Sequence, residues 1–407
     1  MLSIEGIIVT ETGEMRRRVL IENGVITKVA EPIGEADVIL GDELIFPGFV
    51  DVHVHCREDV SHKNDYKEDF TTGGEAAING GVVAFMEMPN CPVPPVDDAT
   101  FDARNALTEK SPVTIALYAG IGPTTRPLSK KVPYKAFMGH SIGDLFFNSR
   151  EELEQALEHY KGESVSFHCE DPEIMDEHVD GETHEQRRPE SAEWSAVDTA
   201  IELIEKYSLK GKVCHISTKE GVDKIVTAKK RGVNVTTEVT PHHLYFDETM
   251  ITDESRVRFQ VNPPIRQTKE NRLALIEALK RGDIDYLATD HAPHTIEEKE
   301  KGISGLTHLD TYGPFTTWLM KEHGFSSEDI ERVASRNPGA FMSEFQTDRY
   351  GKIEEGYIGS LTIIDMNRPK VVRSEDLKTK CRWSPFEGVE FPGSVTMTIV
   401  KGKIYAK

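Results

Sequence analysis

The stretch Phe49-Val50-Asp51-Val52-His53-Val54-His55 follows Ile45-Phe46-Pro47-Gly48 and has the apolar character of a buried strand that ends in two histidines. Side chains alternate across a strand, so His53 and His55 must point to the same side. Two neutral imidazoles that converge from one rigid strand end suit a zinc-like divalent cation. A lone His-x-His pair also occurs by chance at exposed strand ends, so a metal site requires further ligands elsewhere in the chain.

Apolar runs of strand length recur along the chain, and several of them end in a potential ligand. After the first run they cover residues 82–88, 113–120, 133–139, 164–168, 212–215, 233–239 and 285–291. Between several of them lie helix-like segments, at residues 150–160, 191–207 and 269–280. This alternation predicts parallel βαβ units, and eight strands predict an α/β fold of the (β/α)₈ TIM-type barrel. Catalytic groups gather at the carboxyl ends of such strands, which is where the candidate ligands lie.

The two ends of the chain differ from the barrel region in their pattern of apolar and polar residues. Residues 1–46 contain short alternating strands with turns at Glu11-Thr12-Gly13 and Asn23-Gly24, and Asn-Gly is a strong hairpin signal. The same pattern resumes at residues 351–353, 360–365 and 395–405. Chain termini commonly lie near each other. We therefore expect residues 1–47 and 347–407 to form one small β-sandwich domain beside a catalytic barrel of residues 48–346.

Composition limits the classes of function. The chain has 407 residues, enough for a barrel of roughly 250 residues and a smaller domain. No apolar run approaches the ~20 residues that span a membrane, and the first residues lack the pattern of a secretory signal. Five scattered cysteines without a CxxC pair favour a reducing compartment, so we expect a cytoplasmic protein. The net charge of −21 argues against binding to nucleic acid or to an acidic membrane.

Three stretches together resemble the motifs of the dihydroorotases, which are cyclic amidohydrolases. They are Pro47-Gly48-Phe49-Val50-Asp51-Val52-His53-Val54-His55-Cys56-Arg57-Glu58, Met88-Pro89-Asn90, and Ala288-Thr289-Asp290-His291-Ala292-Pro293-His294-Thr295. The resemblance spans nearly the whole chain, including the closing pattern of residues 351–361. Hydantoinases (dihydropyrimidinases) and allantoinases belong to the same superfamily of metal-dependent hydrolases.

The resemblance implies a reversible cyclisation of N-carbamoyl-L-aspartate to (S)-dihydroorotate plus water, in de novo pyrimidine (UMP) biosynthesis. The partners it implies are a small-molecule substrate and either a second copy of the chain, in a homodimer, or other pyrimidine-pathway enzymes. The alternative within the superfamily is a hydantoinase or an allantoinase. A non-catalytic scaffold protein is the alternative from another class, but such relatives typically lose metal ligands, and here all six positions are filled.

The resemblance also implies two Zn²⁺ ions per chain. An amide carbon is a poor electrophile, and a bound divalent metal both polarises the carbonyl and lowers the pKa of its water to ~7. By resemblance, His53 and His55 hold one ion with Asp290, while His168 and His215 hold the other. Lys135 matches a lysine that is carboxylated on N6 and bridges both ions. The alternative for Lys135 is a surface lysine that snorkels, which its apolar run disfavours.

The resemblance implies that Asp290 is the catalytic residue that transfers the proton. Located at the end of the eighth run, it would take a proton from the metal-bound hydroxide during attack and deliver it to the departing nitrogen. The alternative is an aspartate that only caps a turn.

Four further residues match positions that hold the substrate in the resembling family: Arg57, Asn90, Asn262 and His294. A guanidinium offers a fixed fork for a carboxylate, which dihydroorotate has and dihydrouracil lacks. The alternative for Arg57 is a salt bridge to Glu58 or Asp59. For Asn90 and Asn262 the alternative is a turn residue beside proline.

Some features fall outside this interpretation. Two stretches depart from the family pattern: residues 59–64, where many dihydroorotases have Pro-Gly, and residues 302–308, which lack a glutamate after Gly-Leu. Both are expected to be loops near the pocket. Most of the remaining histidines are expected to be surface or packing residues, and they are His62, His140, His159, His178, His184, His242, His243, His291, His308 and His323.

Overall fold

The computed structural model describes residues 1–139, 145–266 and 268–406, and His140 therefore lies outside the described residues. The strands are β1 (Leu2–Thr10), β2 (Gly13–Glu22), β3 (Val25–Ala30), β4 (Val38–Pro47), β5 (Phe49–Val54), β6 (Val82–Glu87), β7 (Thr114–Leu117), β8 (Ala119–Gly120), β9 (Tyr134–Phe137), β10 (Ser164–His168), β11 (Lys210–Val213), β12 (Val235–Val239), β13 (Tyr286–Leu287), β14 (Leu361–Asp365), β15 (Lys370–Val371), β16 (Glu390–Phe391), β17 (Ser394–Val400) and β18 (Lys403–Ala406).

Helices separate most of the central strands. They are α1 (Phe70–Gly80), α2 (Asp98–Leu107), α3 (Arg150–Leu157), α4 (Pro172–Glu177), α5 (His184–Arg187), α6 (Glu190–Tyr207), α7 (Lys219–Lys230), α8 (Pro241–Tyr245), α9 (Asp253–Arg256), α10 (Lys269–Arg281), α11 (Ile296–Lys299), α12 (Tyr312–His323), α13 (Ser327–Ile330) and α14 (Asn337–Ser343). Short 3₁₀ turns extend or precede several of them, and residues 331–336 form a π-helical segment. No helix in the described part of the chain is both long and apolar enough to cross a membrane.

The central strands form a parallel barrel. Strands β5, β6 and β7 pair in one parallel sheet, and β8 to β13 pair in sequence order in another. The third predicted run supplies both β7 and β8, because Tyr118 still bonds to Glu87 while Ala119 already bonds to Pro133. A parallel bridge between Val54 and His291 joins the last strand to the first. The eight runs therefore form the eight strands, and the predicted fold class is confirmed.

Barrel strands are buried on both faces, which explains why they are continuous apolar runs and not alternating ones. The helices that follow begin at side chains that accept bonds from free amide groups, as Asp69 does for α1 and Thr218 for α7. Helix α1 packs closely, because a Cβ on Gly80 would lie 1.7 Å from the carbonyl oxygen of Leu309.

The chain ends share one seven-stranded sheet, in the order β18-β17-β14-β4-β1-β2-β3. Strand β1 runs parallel to β4, and the other neighbours are antiparallel. The hairpin at Asn23-Gly24 has φ values of 49° and 80°, the left-handed pair that a two-residue turn of this type requires. The expected small β domain is thus present beside the barrel, while its boundaries at residues 47 and 347 stay a prediction.

Residues 351–353 were expected to resume the strand pattern, and this expectation is wrong. The segment is irregular, and Gly351 has a φ of +99°. A Cβ on Gly351 would lie 2.9 Å from the carbonyl oxygen of Ser335, so this backbone passes against the helical segment before α14. The close approach and the positive φ require glycine at this position.

Candidate active site

A cavity opens at the carboxyl ends of the barrel strands, where parallel strands deliver their last side chains to one place. Eight of the ten residues predicted to act at the site line this cavity. The other two do not line it: His294 contacts the lining residue Arg57, and Lys135 contacts Cys214, which precedes the lining residue His215. The lining consists of His53, His55, Arg57, Asn90, Phe137, His168, His215, Val261, Asn262, Asp290, Ala292, Ser304 and Gly305.

Three electron-rich atoms converge at one side of this cavity. His53 Nε2 and His55 Nε2 lie 3.1 Å apart, and Asp290 Oδ1 lies 3.2 Å from the first and 3.0 Å from the second. All three side chains are buried, and burial lowers the pKa of both histidines well below the usual value, so the imidazoles are neutral. Neutral imidazole and carboxylate are the forms that bind a metal ion.

The outer ring nitrogens of these histidines fix their tautomers. His53 Nδ1 donates to Glu238, a carboxylate that also pairs with buried Lys212. His55 Nδ1 donates to Asn90 Oδ1 at 2.6 Å. With the protons on Nδ1, both Nε2 atoms present lone pairs to each other and to Asp290. Two imidazole lone pairs and a carboxylate oxygen that face one point are the arrangement that binds a divalent cation, so the donor set fits a bound metal.

His168 and His215 form a second pair beside the first. His168 Nδ1 lies 3.0 Å from His215 Nε2, and His168 Nε2 donates to Glu170 Oε2 at 2.8 Å. The ring centroids of His53 and His215 are 5.3 Å apart, so the four imidazoles form one continuous cluster. Carboxylates that orient ligating histidines in this way are a common feature of metal sites.

Lys135 lies in strand β9 and is fully buried, which rules out the snorkelling surface lysine. Its Nζ donates to Cys214 Sγ at 2.8 Å. After burial itself, the charge of Lys135 is the next largest influence that lowers the pKa of His53. An ammonium group at this position opposes any nearby cation. A second group of candidate donors, His53, Cys214 and Glu238, also has its atoms within 4.8 Å of one another.

Three site residues have left-handed backbone conformations that are uncommon outside glycine. The φ values are 65° for Arg57, 34° for His215 and 48° for Asp290. Each residue lies at or just beyond a strand end, where the turn directs its side chain into the cavity. Such strain is retained at functional sites when the surrounding structure holds it in place. Burial raises the pKa of Asp290 to about 7, although the charges of Lys135 and Arg57 oppose this effect.

Arg57 is buried and lines the cavity, but its guanidinium is only partly satisfied. Nη2 lies 3.2 Å from His294 Nε2, whereas Nε has no hydrogen-bond partner in the described part of the chain. The alternative salt bridges are not formed, because Glu58 pairs with Lys110 and Asp59 accepts from the amide groups of Ser61 and Val93.

The other predicted substrate residues differ in their surroundings. Asn90 lines the cavity, and its Oδ1 accepts a hydrogen bond from His55 Nδ1, so Asn90 also orients a candidate ligand. Asn262 is half-buried, and its Oδ1 accepts from His184 Nε2 at 3.0 Å. His294 is buried beside Arg57, and Trp383 Nε1 donates to its carbonyl oxygen at 2.7 Å.

Glu238 and Glu170 are the residues that sequence reasoning missed. Each is buried and holds a histidine of the cluster, and Glu170 also pairs with Arg188. Burial alone would raise the pKa of Glu170, but Arg188 and His168 lower it to about 2. A lone carboxylate inside the apolar run of β12 was the available signal for Glu238, and Glu170 follows His168 by two residues.

The remaining features lie around the cavity. Ser304 and Gly305, from the second departing stretch, line it directly. The first departing stretch is anchored by Asp59. Buried His242 and His308 contact each other at 3.0 Å, and neither lines the cavity. His291 Nδ1 accepts from the amide of His308, so it orients the loop after Asp290.

Comparison with known proteins identifies the family. Residues 44–405 match the amidohydrolase family. A dihydroorotase of Thermococcus kodakarensis is 35% identical over 94% of this chain and 89% of that protein, and one of Methanosphaera stadtmanae is 32% identical over 96% and 93%. An L-hydantoinase (dihydropyrimidinase) structure from Arthrobacter aurescens shares the fold with a TM-score of 0.90, at 24% identity over 100% of this chain and 96% of that one.

The family and the site agree on the class of chemistry. Amidohydrolases are hydrolytic enzymes that act on small molecules, and the converging imidazole and carboxylate groups are suited to a metal cofactor. Residues 44–405 include every side chain of the cluster described above. The chain belongs to the amidohydrolase family.

Proposed function

We propose that this protein is a dihydroorotase, which interconverts N-carbamoyl-L-aspartate and dihydroorotate. The relatives of 32–35% identity over nearly the full chain support this activity. The observation that carries the proposal is Arg57, whose buried guanidinium lines the cavity and has no carboxylate partner among the described residues. A buried cationic donor without a carboxylate of its own suits the carboxylate of a substrate.

The finer proposal concerns the metal centre. His53, His55 and Asp290 would hold one Zn²⁺, His168 and His215 would hold a second, and N6-carboxylated Lys135 would bridge them. When bound, the two ions supply a water of lowered pKa and polarise the carbonyl of the substrate. Six protein ligands are too many for one tetrahedral ion. Carboxylation also replaces the buried ammonium of Lys135 by an anion, which removes the repulsion between that side chain and the cations.

Asp290 is the residue of this chain proposed to move the proton. A carboxylate at the metal-facing side of the cavity can accept a proton during attack and release it to a departing group. Its position against both His53 and His55 places Oδ1 at the side of the cavity where hydrolysis would occur. Asp290 would therefore accept the proton during attack and return it to the departing ring nitrogen.

The alternative is a hydantoinase-type activity, which the shared fold allows. Dihydrouracil and simple hydantoins have no carboxylate, so they would leave the Arg57 guanidinium without an anion in a buried site. That arrangement is unfavourable, because an unpaired buried charge carries a large desolvation cost.

The test replaces Arg57 by Met, which keeps the length of the side chain and removes its charge. Burying the substrate carboxylate without its partner costs several kcal/mol, so kcat/KM for dihydroorotate should fall by roughly 10²-fold or more. Hydrolysis of dihydrouracil should be very slow in the parent enzyme and should not fall in parallel. Both substrates are measured in both proteins, with Arg17→Met on the terminal sheet as the control for loss of an arginine.

A parent enzyme that prefers dihydrouracil or allantoin to dihydroorotate would contradict the proposal and favour the hydantoinase-type activity. Elemental analysis of the same preparation tests the metal centre independently. Saturation with zinc and bicarbonate should give close to two ions per chain, and a maximum of one would rule out the paired centre.

A further inference from the structure

Arg57 and His294 form the anion side of the cavity, and Glu298 contacts His294 from the neighbouring helix α11. Glu298 lies in α11, four residues after His294, so the two side chains share one face of the chain as it enters the helix. Its Oε2 lies 3.1 Å from His294 Nδ1. Its Oε1 accepts from Tyr66 at 2.6 Å and pairs with Lys67 Nζ at 2.9 Å. Glu298 thus connects His294 to the loop that follows the first barrel strand.

The protonation of His294 follows from these neighbours. A guanidinium can only donate, so the contact with Arg57 Nη2 requires a lone pair on His294 Nε2. Burial, reinforced by the charges of Arg57 and Lys67, lowers the pKa of His294, and the ring is therefore neutral. Its single proton must then lie on Nδ1. Glu298 is the acceptor at that nitrogen, because Lys67 Nζ, at 3.4 Å, can only donate.

The opposite tautomer would place two donors against each other. With the proton on Nε2, the His294 N–H and the Arg57 Nη2–H would face each other across 3.2 Å, and Arg57 would have to move. With the proton on Nδ1, Nη2 donates to His294 and the guanidinium is held in the lining of the cavity. The orientation of the Arg57 guanidinium group therefore depends on which ring nitrogen of His294 carries the proton.

We propose that Glu298 is a positioning residue for substrate binding: it fixes His294 as the Nδ1–H tautomer, and His294 in turn holds Arg57 with its free donors toward the carboxylate of the substrate. The inference rests on the proposed function for the identity of that anion. It assigns Glu298 a role in specificity, because a substrate without the carboxylate gains nothing from an aligned Arg57.

A purely local role for Glu298 is the competing explanation. Its side chain accepts from the amide of Thr295 at 3.2 Å and so caps the start of α11. The cap bond and the contact with His294 Nδ1 both use Oε2, and a glutamine can place either its carbonyl or its amide group there, so Glu298→Gln no longer selects one tautomer of His294. Thr295→Ala separates the two roles, because it removes the cap bond between the Glu298 amide and Thr295 Oγ1, keeps the carboxylate against His294 and should leave the tautomer unchanged. The neighbouring Glu297→Gln is the matched control, since Glu297 is exposed and contacts neither His294 nor Lys67 in the described structure.

The first measurement is the ¹⁵N spectrum of histidine-labelled holoenzyme, with the His294 signals assigned by comparison with His294→Gln. The parent protein and Glu297→Gln should show a protonated Nδ1 and an unprotonated Nε2, whereas Glu298→Gln should show a mixture. A parent protein with the proton on Nε2, or a Glu298→Gln protein with an unchanged Nδ1–H form, would overturn the proposal.

The second measurement is steady-state kinetics. Losing one aligned hydrogen bond should raise KM for dihydroorotate about three- to tenfold in Glu298→Gln, with kcat nearly unchanged. Simple charge removal predicts the opposite sign, because deleting a nearby carboxylate favours an anionic substrate. Hydrolysis of dihydrouracil should be unaffected. A lower KM for dihydroorotate, or equal losses on both substrates, would overturn the positioning role, and in a protein without dihydroorotase activity the spectrum alone decides on the tautomer.

Discussion

The two sides of the cavity are built in different ways. The metal side consists of the candidate ligands in the barrel strands and at their ends. There the outer ring nitrogens are held by residues of the barrel itself, as Glu238 holds His53 and Asn90 holds His55. On the anion side, Arg57 and His294 lie on loops. Segments remote in sequence hold them, including Trp383, which bonds to the carbonyl oxygen of His294.

The difference explains which side is easier to infer from sequence. A strand has a period of two, so His53 and His55 must share a side, and parallel strands must end at one edge. A loop has no such period. The segment between β15 and β16 reaches the loop after β5, where Thr379 contacts Glu68 and Cys381 Sγ donates to the carbonyl of Lys67 at 3.0 Å. No local sequence pattern predicts such contacts. If the two sides also differ in energetic contribution, substitutions on the metal side should reduce activity more than substitutions on the anion side.

The largest effect is expected at Lys135 on the metal side. Lys135→Ala should reduce turnover by at least about 10³-fold, because the proposed bridge would be lost and bound metals can supply several kcal/mol of transition-state stabilisation. A short carboxylic acid added to the buffer should restore part of the activity by providing an anionic oxygen pair. Activity and metal content are measured together, and Lys210→Met, at the exposed start of β11, serves as the comparison. Full activity of Lys135→Ala without additive would show that the lysine is structural.

Asp290→Asn should have the next largest effect. The amide keeps the size of the side chain but cannot carry the proton, so turnover should fall at least ~10²-fold, the lower end of general acid–base contributions. Thermal unfolding should be nearly unchanged, which separates a chemical defect from a folding defect. Near-normal rates would mean that another group, such as His294, transfers the proton.

The smallest effect is expected at Trp383, which is distant in sequence from His294 and donates to its carbonyl oxygen. Trp383→Phe keeps the packing of the aromatic ring but removes the bond from Nε1 to His294, worth about 1 kcal/mol. KM for dihydroorotate should rise about fivefold with little change in kcat. Equal loss in kcat, or loss on dihydrouracil as well, would mean that the terminal segment supports the whole cavity and that the two sides are not independent.

The sequence by itself determined the barrel and the convergence of His53 and His55, because strand periodicity and parallel topology are local or short-range rules, and its resemblance to the dihydroorotases implied the other candidate ligands. These are Lys135, His168, His215 and Asp290, which lie in barrel strands or within three residues of their carboxyl ends. It could not determine the irregular path of residues 351–353, which depends on how closely that backbone approaches the segment of Ser335.

Only the tertiary structure decided how the ligands and the anion site are oriented. Glu238, Glu170 and Glu298 act through contacts with residues on other segments or across a turn, and each selects which nitrogen of a histidine carries its proton. A sequence specifies that a histidine is present, but its tautomer depends on the donor or acceptor that packing brings to the far side of the ring. The same reason applies to Arg57, which has no carboxylate partner among the described residues while Glu58 and Asp59 are paired elsewhere.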